Sequence, residues 1–408
     1  MTAAESVALT QAPSGALSFA MVAGEASGDL LAGLLIQGLQ SRWPQARGYG
    51  IGGPSMQAQG FEAWWPHDKL AVRGYVEVLR HYRGIVAIRN QLRERLLNQP
   101  PDVFIGVDAP DFNLDLEAKL KQSGIPTVHF VCPSIWAWRP ERVEKIRQSV
   151  DHMLCIFPFE PALLAKAGIE ATYVGHPLAQ TIPMNPDPLA ARVSLGLDTQ
   201  RPVVALLPGS RQSEIEHLTP RFVQAAQIMQ RQNPGLQFVL PAIPRLFPRL
   251  EAMVQAQGGL PGLLMLNGQS HAALAACDVT LIASGTATLE AALFKRPMVI
   301  GYHMNWLSWQ IMKRQQLQPW VGLPNILSQD FVVPELLQDR CTPEALAKAC
   351  LAWLSAPDRV EAIQSRFQQM HLSLQRQTAD LFVGNFFVLY LCSSNFEIFG
   401  LLRNLRRF

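Results

Sequence analysis

The sequence is short of charged residues and of long apolar runs, and both scarcities limit what the protein can be. Charged residues make up 16% of the 408 positions and hydrophobic residues 49%, whereas ordinary soluble proteins carry about 25% charged residues. This composition excludes extended disorder and favours contact with something apolar. No apolar stretch reaches the roughly 18 residues that a spanning helix needs, so we expect no transmembrane helix.

A strong excess of one charge is also missing. The formal net charge is +3, from 35 Lys and Arg against 32 Asp and Glu. Bulk electrostatics therefore do not indicate a nucleic-acid-binding protein, and we expect no nucleic acid partner.

Cysteine pairs and metal-ligand spacings are absent from the sequence. The six cysteines are far apart and form no Cys-x-x-Cys pair, which favours a reduced, cytoplasmic protein. The histidines are scattered without a His-x-x-x-His or acidic cluster, so we expect no metal and no other cofactor. Residues 1–16 lack the charged and apolar regions of a signal peptide and are predicted to form a flexible extension.

Short apolar runs alternate with helix-length segments, which predicts an α/β fold with parallel sheets. A stretch rich in Pro, Asp and Asn after residue 182 separates two such series, so we expect two doubly wound, Rossmann-like domains. The predicted divisions are residues 1–16, 17–182, 183–345, 346–380 and 381–408. The predicted strands are Leu17–Ala23, Val103–Val107, Thr127–Val131, His152–Phe157, Val203–Leu207, Phe238–Leu240, Val279–Ala283 and Pro297–Tyr302.

A glycine-containing turn, Gly24–Asp29, follows the first predicted strand and precedes a helix. In this position a glycine turn lets the backbone approach a ligand at a helix N-terminus. The tight Gly-x-Gly of the dinucleotide fingerprint is missing, which argues against nicotinamide or flavin chemistry. The alternative is a plain turn capped by Ser27 or Asp29.

Asp108 follows the apolar run Val103–Val107 and precedes Pro110. It is expected at the carboxyl edge of the sheet, where open α/β folds bind ligands. A carboxylate there can accept a proton from a hydroxyl nucleophile, as in glycosyl or phosphoryl transfer. A cap or turn aspartate is the alternative, and it suits Asp111 better than Asp108.

Two further turns in the second half resemble anion cradles. Gly209-Ser210-Arg211 follows one strand, and Ser284-Gly285-Thr286 follows a later one. Amide donors with an arginine suit a nucleotide diphosphate, and Glu290 is placed to accept from ribose hydroxyls. Each turn alone is more often a helix cap, and no P-loop is present.

Arginines alternate with apolar residues between positions 73 and 95, a pattern that suits an anionic membrane surface. A solvated helix face is the commoner explanation of such a pattern. The candidate membrane-contact residues are Tyr75, Val76, Val78, Leu79 and Tyr82. Residues 381–408 are rich in Phe and end in arginines, and their longest apolar stretch is too short to span a bilayer, so an interfacial or packed helix is expected.

Seven sequence blocks in order resemble the lipid-A-disaccharide synthase family, and the likeness runs from about residue 17 to about 380. The blocks are Gly24–Asp29, Gly52–Met56, Val107–Asn113, Pro133–Arg139, Leu207–Arg211, Ala283–Thr286 and Leu323–Asn325.

The resemblance implies a GT-B glycosyltransferase on the inner membrane of a Gram-negative-type bacterium, with an acceptor domain, a UDP-sugar domain and C-terminal helices that pack back on the first domain. It would join UDP-2,3-diacylglucosamine to 2,3-diacylglucosamine 1-phosphate with inversion, without a metal. Asp108 would be the base, with Arg211 and Asn325 as further active-site residues. The remaining substrate-site residues implied are Gly209, Ser210, Ser284, Gly285, Thr286 and Glu290 for UDP, and Gly24, Glu25, Ser27, Gly28, Asp29, Arg139, Arg142 and Tyr302 for the cleft between donor and acceptor.

Two other functions stay open at this point. One is another GT-B UDP-GlcNAc transferase or a 2-epimerase that acts on unacylated sugars, and the other is a non-catalytic lipid-binding scaffold. The tail after residue 380 departs from the family pattern, and it is interpreted either as an anchor or as a read-through extension. A homodimer is also left open.

Overall fold

The computed structural model describes residues 17–70, 75–315 and 317–375, without the side chains of residues 75–82 and of Ala26, Leu307, Ser308 and Ile311. The described residues form two compact units. The first comprises residues 17–135 and 139–177, and the second comprises residues 136–138 and 178–375. Among the described residues, no helix is both long enough and apolar enough to cross a membrane.

The first unit is built on a seven-stranded sheet in the order β3-β2-β1-β4-β5-β6-β7. Every neighbouring pair is parallel. The strands are β1 Ser18–Ala23, β2 Arg47–Gly52, β3 Glu62–Pro66, β4 Val103–Val107, β5 Thr127–Phe130, β6 His152–Cys155 and β7 Ala171–Tyr173. The helices are α1 Ala26–Arg42, α2 Pro54–Gln57, α3 Tyr75–Asn98, α4 Pro110–Gln122, α5 Arg142–Ser149 and α6 Glu160–Ala165, with a 3₁₀ turn at His67–Lys69.

Helices cover the first sheet because its central strands are apolar on both faces. All five residues of β4 are buried, as expected for a parallel strand between helical layers. One core cluster joins Phe104 of β4 to Leu92 of α3 and Leu116 of α4. A second joins Leu114 of α4 to Ile146 of α5, so α4 contributes to both clusters.

The second unit repeats this plan with six parallel strands in the order β10-β9-β8-β11-β12-β13. The strands are β8 Val203–Leu207, β9 Gln237–Ala242, β10 Leu263–Asn267, β11 Val279–Ala283, β12 Met298–Tyr302 and β13 Glu335–Leu337. The helices are α7 Pro177–Thr181, which begins at the unit boundary, α8 Pro188–Ser194, α9 Gln212–Gln232, α10 Phe247–Ala256, α11 Ser270–Ala276, α12 Ala287–Leu293, α13 Trp306–Gln315, α14 Leu323–Ser328, α15 Pro343–Leu354 and α16 Pro357–Leu374, with 3₁₀ turns at Pro244–Leu246 and Gln338–Arg340.

The last two described helices pack within the second unit. Helix α15 contacts α9, and α16 contacts α12. The indole N–H of Trp353 on α15 donates to the Met298 carbonyl at 3.1 Å, which fixes α15 against β12. Packing of residues 346–380 on the first domain, which the resemblance implied, stays a prediction, and residues 376–380 and the tail lie outside the described residues.

The predicted α/β class with two doubly wound parallel sheets is confirmed. The structure adds five strands that the sequence pattern does not mark. Of these, β2 reads Arg-Gly-Tyr-Gly-Ile-Gly and has no apolar run, and β7 and β13 are only three residues long.

Candidate functional site

Each sheet has one place where its strand order reverses, and the predicted motifs follow the strands at those places. The reversal lies between β1 and β4 in the first unit and between β8 and β11 in the second. Open α/β sheets bind ligands outside the carboxyl ends of the strands at this switch point. The candidate turns predicted from the sequence therefore follow the strands at the two switch points.

Asp108 is held in an uncommon backbone conformation directly after β4. Its φ is +52° and that of Ala109 is +45°, in the left-handed region that non-glycine residues seldom adopt. The Asp108 N–H donates to the Phe130 carbonyl at 2.9 Å, and the Asn113 amide donates to the Asp108 carbonyl at 2.8 Å. Such strain persists where surrounding contacts impose it, and it clusters at functional sites.

The pKa of the Asp108 carboxyl lies above its usual range. Burial is the main cause, because it disfavours the charged form, and the nearby Glu25 carboxylate adds to it. The charge of His129 and a backbone hydrogen bond from Ala109 act in the opposite direction. A carboxylate with a raised pKa is suited to accept a proton near neutral pH.

A buried ion pair joins α4 to β5, the strand next to β4. His129 Nδ1 is 2.7 Å from Glu117 Oε1, and both side chains are 0% exposed. Burial raises the pKa of Glu117. The sequence pattern showed His129 only as one of several scattered histidines, so the pair was not predicted. A histidine inside an apolar strand was the one feature that could have indicated a buried polar partner.

The turn after β1 lies against the turn after β4. A Cβ at Gly24 would be 2.7 Å from the Cβ of Ala109, so only glycine fits there. Glu25 and Ser27 are exposed, whereas Gly28 is buried. Glu25, and not Ser27 or Asp29, occupies the N-cap position of α1, and its side chain makes no capping hydrogen bond.

The carboxylate of Asp29 is already fully used inside the first unit. It accepts the backbone N–H groups of Gly53, Ser55 and Met56 at 2.7, 2.8 and 3.2 Å, and Asp29 is 2% exposed. Asp29 therefore caps the start of α2, which explains its place in the Gly24–Asp29 motif without any contact with a ligand.

Basic residues that follow Trp138 pair with acidic residues of α4. Arg142 Nη2 lies 2.6 Å from Asp111 Oδ1, and Lys145 Nζ lies 2.7 Å from Asp115 Oδ1. Arg139 has a φ of +54°. The Arg142 guanidinium is thus paired with an exposed carboxylate.

In the second unit a carboxylate occupies the predicted anion cradle after β8. The N–H groups of Ser210 and Arg211 donate to Glu214 Oε2 at 3.0 and 3.1 Å, and Arg211 Nη1 donates to Glu214 Oε1 at 3.1 Å. Gly209 has a φ of +121°, and a Cβ there would be 2.6 Å from the Glu214 Cβ. Glu214 binds the donors that an anionic ligand would use, and sequence reasoning did not assign it this role.

The turn after β11 is fixed by a neighbouring loop. Ser284 Oγ donates to the Val321 carbonyl at 2.8 Å, so this hydroxyl supports the loop. Gly285 has a φ of +143° with open space around it, and Thr286 is exposed. Gly285 and Thr286 are the accessible members of this turn.

Glu290 and Tyr302 belong to the same edge of the second sheet. Glu290 Oε2 lies 3.0 Å from His271 Nε2, a partner that the sequence pattern did not suggest. Tyr302 ends β12, and its hydroxyl pKa is raised by burial and by Glu214, while Arg211 lowers it. The structure thus brings Tyr302 close to the turn after β8.

Asn325 is placed as a structural support. It is 0% exposed, and its amide nitrogen donates to the Val333 carbonyl at 2.9 Å and to Glu335 Oε1 at 2.8 Å. Its amide oxygen accepts the Val333 N–H at 2.9 Å. Glu335 in turn accepts the N–H groups of Val321 and Gly322. Asn325 therefore orders the loop that holds Ser284.

The remaining candidates fall partly outside the described residues. The five candidate membrane-contact residues lie on α3, but their side chains are outside the described part of the structure: Tyr75, Val76, Val78, Leu79 and Tyr82. The tail at 381–408 is also outside the described residues. Within the part of the chain that is described, no group of three His, Cys, Asp or Glu side chains is arranged to hold a metal ion.

Solved structures of nucleotide-sugar enzymes share this arrangement of two parallel-sheet units. UDP-GlcNAc 2-epimerase from Neisseria meningitidis, bound to UDP-GlcNAc, is 12% identical with a TM-score of 0.59, covering 95% of this chain and 100% of that one. The calicheamicin glycosyltransferase CalG4 is 16% identical with a TM-score of 0.59, covering 93% and 99%. At these identities the likeness shows the fold, which is that of a GT-B enzyme.

Sequence comparison then identifies the family. Residues 19–382 match the lipid-A-disaccharide synthetase family. A lipid-A-disaccharide synthase from Albidiferax ferrireducens is 65% identical over 370 residues, 90% of this chain and 95% of the relative. A lipid-A-disaccharide synthase from Paraburkholderia phytofirmans is 56% identical over 365 residues, which cover 89% of this chain and 94% of the relative. The chain belongs to the lipid-A-disaccharide synthase family, as the sequence blocks predicted.

Proposed function

We propose that the chain makes the lipid A disaccharide by transferring a sugar from UDP-2,3-diacylglucosamine to the 6-hydroxyl of 2,3-diacylglucosamine 1-phosphate. The products are UDP and the β-1,6-linked disaccharide 1-phosphate. The observation that carries the proposal is the family match over residues 19–382, and the half-buried Asp108 carboxylate at the first switch point supports it. The family match favours this activity over a 2-epimerase or a non-catalytic scaffold.

Asp108 is the proposed base. It takes the proton of the acceptor hydroxyl as that oxygen forms a bond to the anomeric carbon and the bond from that carbon to the UDP oxygen breaks. A single displacement inverts the anomeric centre. Its place at the switch point and its raised pKa, caused mainly by burial, support this role.

Arg211 is proposed to stabilise the negative charge that develops on the departing diphosphate. Its guanidinium is 69% exposed and lies beside the N–H groups of residues 210 and 211 at the start of α9. Amide donors at a helix N-terminus with an added arginine suit phosphate oxygens. The same UDP site would also be lined by Gly209, Ser210, Gly285 and Thr286. Glu290 would accept hydrogen bonds from the ribose hydroxyls.

The enzyme is proposed to act without a metal as a peripheral protein on the cytoplasmic side of the inner membrane, and to be able to form a homodimer. Acylated substrates require access to a bilayer, and the membrane-contact residues of α3 combine apolar side chains with nearby arginines. The low charge fraction of the sequence supports the same interpretation.

Turnover of the two acylated sugars in detergent with EDTA tests the proposal. We expect disaccharide and UDP from the native chain and a loss of about a hundredfold or more for Asp108→Asn, because the base is removed. Asp198→Asn, at an exposed turn of the second unit, is the matched control and should retain full turnover. Absence of disaccharide from well-folded native protein, or epimerisation of UDP-GlcNAc in its place, would overturn the activity.

A further inference from the structure

A fully buried carboxylate–imidazole pair lies within the first unit and has no part in the function proposed above. Glu117 Oε1 and His129 Nδ1 are 2.7 Å apart, and neither side chain is exposed. A buried pair of ionisable residues contributes little net stability compared with apolar residues of the same size. Its presence therefore calls for a chemical explanation.

Backbone register places the pair beside Asp108. His129 on β5 is the register partner of Gly106 on β4, and Asp108 comes two residues after Gly106, directly after the end of β4. A Cβ at Gly106 would collide with Glu117 Oε1, so the glycine makes room for the carboxylate. The Asp108 N–H donates to the carbonyl of Phe130, the residue after His129.

Three buried polar atoms at this place lack a hydrogen-bond partner in the described part of the chain. They are His129 Nε2, Glu117 Oε2 and Asn113 Oδ1. Buried polar atoms are nearly always satisfied, and exceptions often mark catalytic sites. Three exceptions close to one strained aspartate point to the neighbourhood of Asp108 as a place of proton chemistry.

We propose that Glu117 and His129 are positioning residues for the base: the Glu117 carboxylate holds His129 as an imidazolium, and this positive charge keeps Asp108 ionised. The inference rests on the proposed function, because it takes Asp108 as the group that accepts the hydroxyl proton.

The charges around Asp108 support the proposal that His129 keeps this carboxylate ionised. Burial raises the pKa of Asp108 and the Glu25 carboxylate raises it further, whereas the charge of His129 and the Ala109 backbone lower it. Of the four influences, His129 is the only side chain that favours the carboxylate. Without its charge, the pKa of Asp108 rises further, and the base becomes protonated at a higher pH.

The pH dependence of kcat/KM measures this effect. His129→Gln retains a donor for Glu117 but carries no charge, and Glu117→Gln removes the charge that holds the imidazolium. For both variants we expect the acidic limb to move upward by about one pH unit, with about tenfold lower kcat/KM on that limb. At high pH, kcat/KM should recover towards the native value.

His152→Gln is the matched control. His152 is a second buried histidine, on the neighbouring strand β6, and its Nε2 contacts Thr172 Oγ1 at 2.9 Å. Burial lowers its pKa to about 4, so this side chain is neutral and its replacement should leave the acidic limb unchanged. Circular dichroism and UDP binding report whether each variant is folded.

The outcomes separate this inference from the proposed function. An acidic limb that stays in place in folded His129→Gln and Glu117→Gln, or a loss of kcat/KM that is equal at all pH values, would overturn the positioning role. A fully active Asp108→Asn would instead overturn the choice of base. If His129→Gln does not fold, the Glu117→Gln profile decides alone.

Discussion

At the scale of single residues, Glu214 shows how an acidic side chain can take the place of an anionic ligand. Its carboxylate accepts the N–H groups of Ser210 and Arg211 and pairs with the Arg211 guanidinium. These are the donors we assign to the UDP diphosphate. We therefore expect binding of UDP to release Glu214 from this turn, and we expect the carboxylate to compete with the nucleotide.

Replacing the carboxylate should strengthen UDP binding. Glu214→Gln keeps an oxygen for the backbone N–H groups but removes the charge opposite Arg211. Because the Arg211 end of the ion pair is 69% exposed, loss of the pair is worth about 0.5–1 kcal/mol, and we expect UDP to bind about two- to fivefold more tightly by calorimetry.

Glu216→Gln, two residues further along α9, is the control for this prediction. Glu216 is exposed and is also paired, with Gln212 and Arg249, but it lies outside the turn after β8. Its replacement should leave UDP affinity unchanged. Weaker UDP binding by Glu214→Gln would mean that Glu214 orients Arg211 for the ligand and does not compete with it.

The sequence predicts where these residues lie better than it predicts what they contact. Asp29 and Asn325 stand in motifs that resemble the family, but Asp29 caps α2 and Asn325 is saturated by its own loop. Their partners come from segments 8 to 27 residues away. A local pattern does not encode such contacts, because they depend on how the loops pack.

At the scale of elements, the strands that a pattern predicts best are those buried on both faces. β4, β8 and β11 begin and end where their apolar runs do. β3 was missed, and its residues are half-buried or exposed, so neither continuous burial nor strict alternation marks it. Edge strands of this kind are specified by their neighbour in the sheet more than by their own sequence.

Helix α3 is the element that we expect to touch the membrane. Val76 and Leu79 are three residues apart and share one face of the helix. Changing both to Ser removes about 2–4 kcal/mol of favourable apolar burial in a bilayer. We expect tenfold or greater loss of co-sedimentation with phosphatidylglycerol-containing vesicles, with UDP binding unchanged.

Leu97→Ser provides the comparison for this experiment. Leu97 is an apolar residue at the other end of α3, and it is 41% exposed. Its replacement should leave vesicle binding intact. Equal vesicle binding by the native chain and the Val76→Ser/Leu79→Ser variant would show that another surface holds the protein on the membrane.

At the scale of the whole molecule, the proposed chemical tasks fall on two similar sheets. The first unit carries Asp108, the proposed base, at its switch point, and the second carries Arg211 and the amide donors proposed for the diphosphate. This duplication was predictable because the alternation of apolar runs and helices occurs twice in the sequence. The pairing of Glu117 with His129 was not predictable, since it joins a helix to a strand through the packed interior.

Deletion of residues 383–408 tests whether the proposed activity depends only on the family portion of the chain. The family match ends at residue 382, and the Albidiferax relative is aligned over 95% of its length within 90% of this chain. All residues assigned to the reaction precede that point. We therefore expect the shortened chain to retain turnover in detergent within about twofold, and to retain vesicle binding through α3. A shortened chain that folds and binds UDP but has lost turnover would show that the tail takes part in acceptor binding or catalysis, whereas loss of vesicle binding alone would make the tail the membrane anchor.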